Sequence, residues 1–216
     1  MSVAPLNLAW ATQSHARETS SALGEPDWLT ADRLAAIEKV AELPAEPNQL
    51  YTTYIDLRAV DFAAVEPYPP SPAPESATAA ALPEGVAALV HVDERAIASR
   101  VLSDEARAAG VVISTIAQAA VDHPELVREF IEGGGSLPAD DAFGQVARAC
   151  YSLGLFVHVP AGVELSAPIV LRWSAGAPGF GLISRTVVTL GENAHASVYE
   201  AQTASTLCSV VTSSGT

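Results

Sequence analysis

The feature that most constrains the fold is a pattern of nine residues that occurs twice. Residues 157–165 (VHVPAGVEL) overlay residues 188–196 (VTLGENAHA), 31 positions later, with apolar side chains at the same alternate positions. Gly162 overlays Asn193, and glycine and asparagine are the residues that most readily adopt a left-handed backbone. Each copy therefore predicts a strand, a tight bend and a second strand. Because stacked coils repeat one corner at a fixed offset, the repeat favours a β-solenoid.

The sequence from Leu155 onward shows no helical periodicity. Its short runs, rich in β-branched and aromatic residues, are LFVHV, PIVLRW, SRTVVTL, HASVYE and LCSVVT. No helical segment separates these runs, which excludes a doubly wound parallel sheet with helices between its strands. A sandwich, a barrel or a solenoid remains, and the repeat favours the solenoid. Residues 154–216 are accordingly predicted to be the start of a parallel β-helix core.

Three further segments precede this core. Residues 1–65 predict a helical region, with one helix between Pro26 and Pro44. Residues 66–84 are rich in proline, which favours extended and unpaired backbone, and they predict a linker or a surface excursion. Residues 85–153 predict a mixed α/β segment that leads into the core. The predicted fold class is therefore α+β, mainly β, with helices before the first coils of a β-helix.

Local signals place several elements inside these segments. Strands are predicted at about residues 88–92 and 111–115, and Ser103 is expected to cap a short helix. A helical stretch is interrupted near Pro124. Three glycines at residues 133–135 predict the end of that stretch, because glycine most often terminates a helix, and they do not predict a phosphate-binding loop. A further helix is predicted over the sequence ADDAFGQVARACYSLG, with Asp140 and Asp141 as the negative charge at its N-terminus.

Metal binding is the first chemical function to consider, because Pro160-Ala161-Gly162 resembles the Pro-x-Gly turn of cupin barrels. Cupins commonly place a His-x-His pair before this turn and another histidine three residues after its glycine. Here that later position is Leu165, and no His-x-His occurs. The overlay also places His158 with Thr189 and His195 with Glu164 on the outward face of the coils. Both histidines are therefore predicted to be solvated surface residues, and no metal site is predicted.

Other catalytic signatures are absent from the sequence. It contains no G-x-S-x-G, Walker loop, G-x-G-x-x-G or C-x-x-C motif. Its two cysteines, Cys150 and Cys208, are predicted to be buried thiols. No catalytic, cofactor-binding or metal-ligating residue is therefore predicted, and the chain is not expected to be an enzyme.

The charge balance restricts the partners. Lysine and arginine number 11 against 25 aspartates and glutamates, a formal net charge of −14 at pH 7. A nucleic-acid backbone or an anionic lipid surface would repel such a chain, so neither is an expected partner. The sequence also lacks a long apolar run and a secretory signal pattern, and a cytoplasmic location is expected.

Read in order, four segments of the sequence resemble the SufB/SufD family of the SUF iron–sulfur cluster assembly system. The third is the most specific, since a helix leads directly into a Gly-Leu-Phe-Val-x-Val-Pro-x-Gly-Val strand and turn. Residues 51–57 (YTTYIDL), after a helix that ends in Leu-Pro, are more similar to SufD than to SufB. The four segments are EPDWLTADRLAAIEKVAELP, GVVISTIAQAAVDHPELVREF, AFGQVARACYSLGLFVHVPAGVELSAPIVL and SRTVVTLGENAHASVYE.

The resemblance implies a right-handed parallel β-helix and a non-catalytic scaffold subunit. SufD-like proteins pair with SufB through their β-helices, and each binds a copy of the SufC ATPase through a C-terminal helical domain. The iron–sulfur cluster is assembled on the full complex, and no cofactor is implied for this chain itself. Alternatives are a SufB-type paralogue, an extracellular-type carbohydrate-active β-helix protein, the cupin-like metal-binding protein weighed above, or a generic solenoid that binds other proteins.

Family members are longer than this chain, which is expected to be an N-terminal fragment with a truncated β-helix. The cluster ligands, the SufB-facing strands and the SufC-binding helices are expected beyond residue 216. No functional residue is therefore transferred from the family, and Cys150 and Cys208 match no cluster motif. An incomplete solenoid leaves unpaired strand edges, so the isolated chain is expected to aggregate or to be partly unfolded after about Ser184.

Overall fold

Among the residues that the structure describes, most of the regular structure before residue 151 is helical, and all of it after residue 152 is strand. The computed structural model describes residues 8–44, 64–71, 81–177 and 179–204. The helices are α1 (Gln13–Leu23), α2 (Asp27–Val40), α3 (Asp104–Ala108), α4 (Ile116–Asp122), α5 (Pro124–Ile131) and α6 (Ala142–Cys150). The strands are β1 (Glu66–Pro67), β2 (Ala88–Val92), β3 (Ile97–Leu102), β4 (Val112–Thr115), β5 (Leu153–Val159), β6 (Ile169–Ala175), β7 (Phe180–Gly181), β8 (Ser184–Leu190) and β9 (Val198–Ala204). Among the described residues, no helix has both the length and the apolar character needed to cross a bilayer.

Short polar side chains set the starts of several helices. The hydroxyls of Ser103 and Thr115 and the carboxylate of Asp141 accept backbone N–H bonds at the starts of α3, α4 and α6. These bonds satisfy donors that the first turn of a helix leaves free. The cap predicted at Ser103 is confirmed, as is the interruption at Pro124, where α5 begins. Asp141, which the sequence predicts only as negative charge at the helix N-terminus, is the N-cap of α6.

Two sheets carry the C-terminal half of the described chain. One has the strand order β3-β2-β6-β9 and the other β4-β5-β8. The pairs β2/β6, β6/β9 and β5/β8 are parallel, whereas β3 and β4 run antiparallel to their neighbours. Each sheet therefore begins with an antiparallel strand and continues with parallel ones.

The register of the parallel strands reproduces the repeat seen in the sequence. Val157 pairs with Val188 and Val159 with Leu190, and a parallel bridge joins Glu164 to His195, all at an offset of 31 residues. Beyond the bridge of Glu164 with His195 the offset falls to 29 residues, as in the pair of Ile169 with Val198, because the second copy has a shorter link to its second strand. Two strand–corner–strand units therefore stack in parallel. Such units are the building blocks of a parallel β-helix, and the β-helix itself stays a prediction.

The corners of the two units lie directly on one another. Gly162 has φ 72° and Asn193 has φ 57°, which is the left-handed conformation that the sequence predicts for both. The amide of Gly162 donates to the carbonyl of Glu192 at 2.8 Å, and that of Gly191 to the carbonyl of Val159 at 2.8 Å. A Cβ on Gly191 would lie 2.3 Å from the backbone nitrogen of Ala161, so this close approach of two chain turns requires glycine.

β5 separates two apolar cores. Leu155, Val157 and Val159 point into the interior between the two sheets, where they join Leu171 and Trp173 of β6. The side chain of Phe156, on the opposite face of β5, packs in a second core with the helices. Because both faces of β5 are covered, its sequence is a nearly continuous apolar run, whereas the burial of β6 alternates along the strand.

The two ends of the stack differ. At one end, Arg100 of β3 donates from Nη1 to the carbonyl of Ile113 in β4 and so ties the two antiparallel strands together. Ala106 of α3 and Val111 are buried against the interior there. At the other end β8 and β9 are the outermost described strands, and Leu190 and Tyr199 are 41% and 63% exposed. We call this second end the β8/β9 end.

The sequence did not predict α1, β3 or the short strands β1 and β7 individually. Tyr68, inside the proline-rich segment, is buried and anchored. Glu66 and Pro67 pair with Phe180 and Gly181, and the hydroxyl of Tyr68 accepts from the amides at positions 176 and 177. The segment is thus fastened to the stack at its start. The predicted packing of residues 51–57 lies outside the described residues.

Candidate functional site

The two histidines of the repeat have different surroundings. His195 is exposed, as predicted. The prediction of a solvated surface residue is wrong for His158, which points outward from the coil but is partly buried between the sheet and the helices. Its ring stacks on Phe156 with centroids 6.5 Å apart, and its Nδ1 lies 2.8 Å from Oγ1 of Thr189. Burial lowers the pKa of His158, and the charge of His123 lowers it further.

Metal-ligating side chains do not converge within the described ranges. No group of three or more histidine, cysteine, aspartate or glutamate side chains there could hold a metal ion. The described part of the chain thus offers the cupin alternative no ligand set. Cys150 is buried, as predicted, and burial raises the pKa of its thiol to about 12, which keeps it in the unreactive protonated form. Cys208 lies outside the described residues.

A buried ionic cluster between the helices and the stack is the main polar feature of the interior. Arg33 of α2 is fully buried and donates from Nε and Nη2 to the two carboxylate oxygens of Glu25, at 2.6 Å each. Its Nη1 donates to the carbonyls of Ala149 and Tyr151 at 3.0 Å. The guanidinium carbon lies 3.6 Å from the centroid of the Tyr151 ring, whose hydroxyl donates to Glu25 at 3.0 Å.

These contacts keep Arg33 charged. Burial by itself lowers the pKa of Arg33, but Tyr151 and Glu25 together raise it above its ordinary value. For Tyr151 the balance is different, since burial raises the pKa of its hydroxyl and the charge of Arg33 only partly opposes this. The hydroxyl therefore stays protonated and serves as a donor.

A second pair extends the cluster toward α5 and α6. Asp32 of α2 accepts from Nη2 and Nε of Arg148 at 2.5 and 2.9 Å, and it also accepts from the amide of Gly133 at 2.7 Å. The carbonyl of Gly134 accepts from Nη2 of Arg185 at 3.0 Å. The glycine run thus joins α2 to β8 through its backbone, in agreement with the prediction that it is not a phosphate-binding loop.

Arg185 is the least satisfied member of the cluster. Its side chain is buried, and its Nε and Nη1 have no hydrogen-bond partner within the described structure. Both atoms are also closed to solvent, so no space for a ligand adjoins them. The cluster contains bidentate carboxylate–arginine pairs, and the Tyr151 hydroxyl that contacts Glu25 is held in its protonated form by burial. Its chemistry is that of a clamp, which fixes α2 and α6 to the start of β5 and to β8.

Sequence reasoning missed this clamp. A charged residue inside a helix is usually exposed, and nothing in the local pattern separates Asp32 and Arg33 from surface residues of α2. The one available signal was their spacing. Asp32 and Arg33 lie three or four residues from Leu29 and Ala36, so all four residues share the buried face of the helix.

Comparison with known proteins points to one family. The chain is 23% identical over 198 residues to proteins named iron-sulfur cluster assembly SufBD family protein in Mycobacterium bovis and Mycobacterium tuberculosis. These alignments take in 83% of this chain and 23% of each relative, so the chain spans about a quarter of their length. No family model matches the chain.

A relative of the same family name in Synechocystis sp. is 31% identical over 96 residues, which are 44% of this chain and 20% of that protein. These distant similarities support the SufB/SufD family. They do not separate SufD from SufB.

Proposed function

We propose that the chain is part of a SufD-like scaffold subunit that takes part in iron–sulfur cluster assembly. The observation that carries this proposal is the similarity, over 83% of the chain, to proteins named for that process. The parallel stack adds physical support, because two stacked strand–corner–strand units are the building blocks of the β-helix that the resemblance implies.

The partners follow from the same proposal. A SufB-like paralogue and a SufC-like ATPase are the expected partners, and ATP hydrolysis belongs to the latter. The iron–sulfur cluster is the product of the assembled complex, and the chain itself holds no cofactor in this proposal. The cytoplasm is the compartment that the proposal implies, and cell fractionation with a tagged protein tests it.

Co-purification tests the assignment. The protein that carries this sequence, tagged and at its natural length, is expressed together with the SufB-like and SufC-like proteins of the same organism. We expect both to elute with the tagged protein in one complex, with ATPase activity that is absent from the tagged protein alone. Elution of the tagged protein without either partner would count against the scaffold assignment.

A competition experiment addresses the subtype. A SufD-like chain is expected to pair with a SufB-like protein in preference to a second SufD-like protein, and a SufB-type paralogue shows the opposite preference. The sequence of residues 51–57 favours SufD. Mass measurement of the isolated pair distinguishes the two assignments.

A further inference from the structure

A cavity of about 390 Å³ lies beside the end of the stack that is formed by the antiparallel strands β3 and β4. It is bounded by the last residue of α1, the turn between β2 and β3, the junction of β4 with α4, and the start of β5. Its size falls within the range of about 300–1,000 Å³ that is usual for small-molecule sites. The lining residues are Leu23, Ser71, Arg95, Ala96, Ile97, Arg100, Ser114, Thr115, Ala117, Gln118, Tyr151, Leu153 and Gly154.

The charge of this lining is opposite to that of the chain. Among its described residues it contains two arginines, Arg95 and Arg100, and no carboxylate, although the whole chain has a net charge of −14. Three acidic residues bonded to the lining or close to it in sequence are engaged elsewhere, and one of them, Glu25, accepts from Tyr151 and is paired with Arg33. Asp93 accepts from the amides of Arg95 and Ala96 within the turn, and Asp122 accepts from Gln118 at 2.9 Å.

The remaining hydrogen-bond capacity of the lining is mainly that of donors. The guanidinium of Arg95 makes no hydrogen bond or ion pair with the rest of the described chain. The hydroxyl oxygen of Thr115 accepts from the amide of Gln118, which leaves its proton to donate. The amide group of Gln118 has a second N–H beyond the one given to Asp122. Donors of this kind, with arginine among them, suit an oxyanion.

One part of the cavity is apolar. Leu23, Ile97 and Leu153 contribute aliphatic surface next to the arginines. A bare inorganic ion would leave this surface uncovered, whereas an organic group attached to the anion would cover it. We propose that the cavity binds a small organic phosphate, with the phosphate at Arg95 and the organic group on the aliphatic surface.

Calorimetric titration of the protein at its natural length tests this site. The probes are adenosine monophosphate, inorganic phosphate and adenosine, which separate the contributions of the anion and of the organic group. We expect adenosine monophosphate to bind more tightly than inorganic phosphate, adenosine to bind least, and affinity to fall as salt concentration rises.

Arginine variants locate the binding. Arg95→Gln is expected to weaken binding of adenosine monophosphate by about 10- to 100-fold, the usual effect of losing one charged hydrogen bond. Arg172→Gln removes the same charge from an exposed position of β6 outside the cavity and is expected to change affinity by less than about twofold. Since Arg95 is exposed, its loss leaves folding intact, which denaturant unfolding checks.

Three results would overturn the proposal. These are the absence of binding by adenosine monophosphate at millimolar concentration, equal binding of adenosine and adenosine monophosphate, and equal affinity of the Arg95→Gln variant and the unchanged protein. Each can occur while the chain still co-purifies with its assembly partners, so the two proposals fail independently.

Discussion

Two ion pairs of similar geometry have opposite surroundings in this chain. The pair of Asp32 with Arg148 has an N–O distance of 2.5 Å, and its side chains are 2% and 5% exposed. The pair of Arg128 with Glu132 has a distance of 2.7 Å and side chains about half exposed. Water stabilises either exposed partner when the other is removed, and it cannot do so in the buried pair.

Asp32→Ala is therefore expected to destabilise the protein by about 3–5 kcal/mol, because it leaves Arg148 buried without a counterion and frees the amide of Gly133. Glu132→Ala, which breaks the exposed pair, is the matched control and is expected to have little effect. Urea unfolding measures both. Equal destabilisation by the two substitutions would contradict the role of the clamp.

Cys150 provides a second test at the same scale. Its pKa is raised by burial from 9.0 to about 12 in the folded chain, so the folded state holds the thiol proton more tightly than the unfolded state does. This contribution to stability is fully present below about pH 9 and is lost as pH rises toward 12.

In a Cys208→Ser background, we expect iodoacetamide to modify Cys150 only after the protein has unfolded. We also expect Cys150→Ala to weaken the loss of stability at alkaline pH. Rapid labelling of the folded protein at pH 8 would contradict this.

At the scale of elements, sequence predicted those whose pattern is local. The starts of α3 and α6 follow from capping side chains, and β2 and β5 follow from apolar runs. α1 was missed because it buries only Ala16, Thr19 and Ser20, which do not form an apolar stripe. β3 was missed because its partly exposed positions weaken the alternation, and pairing with β2 compensates for this.

The corner gives a test that separates backbone conformation from packing. A Cβ on Gly162 meets nothing within 4 Å, so Gly162→Ala carries only the cost of a left-handed alanine, about 1 kcal/mol. Gly191→Ala places a methyl group 2.3 Å from the backbone of the neighbouring unit and is expected to cost more. Urea unfolding ranks the two variants. A larger effect at Gly162 would contradict direct stacking of the corners.

At the scale of the whole molecule, the sequence predicted the repeat and its offset but not the clamp or the cavity. The two copies of the repeat lie 31 residues apart and can be recognised by overlaying their sequences. The clamp joins Asp32 to Arg148, which are 116 residues apart and share no sequence pattern. Long-range contacts of this kind depend on the packed fold. The position of the β8/β9 end, in contrast, follows from the order in which the two units stack.

The exposed apolar side chains of the β8/β9 end lead to a prediction about association. Leu190→Lys and Tyr199→Lys are expected to reduce concentration-dependent aggregation of the isolated chain, because charge on an edge disfavours strand addition. Val121→Lys, at a residue 59% exposed on α4, is the control and is expected to leave aggregation unchanged. Light scattering over a concentration series measures the difference. Equal effects of the three substitutions would locate the aggregating surface elsewhere.

The order of the strands along the chain bears on how the protein folds during its synthesis. β2 and β4 precede β6 and β5 in the chain, and these precede β9 and β8, so every parallel strand pairs with one that the ribosome has already released. Each new layer thus has a finished template, and none has to wait for a later segment. Such a chain can fold in the direction of translation, and the outermost strand of each sheet is then always the one most recently synthesised.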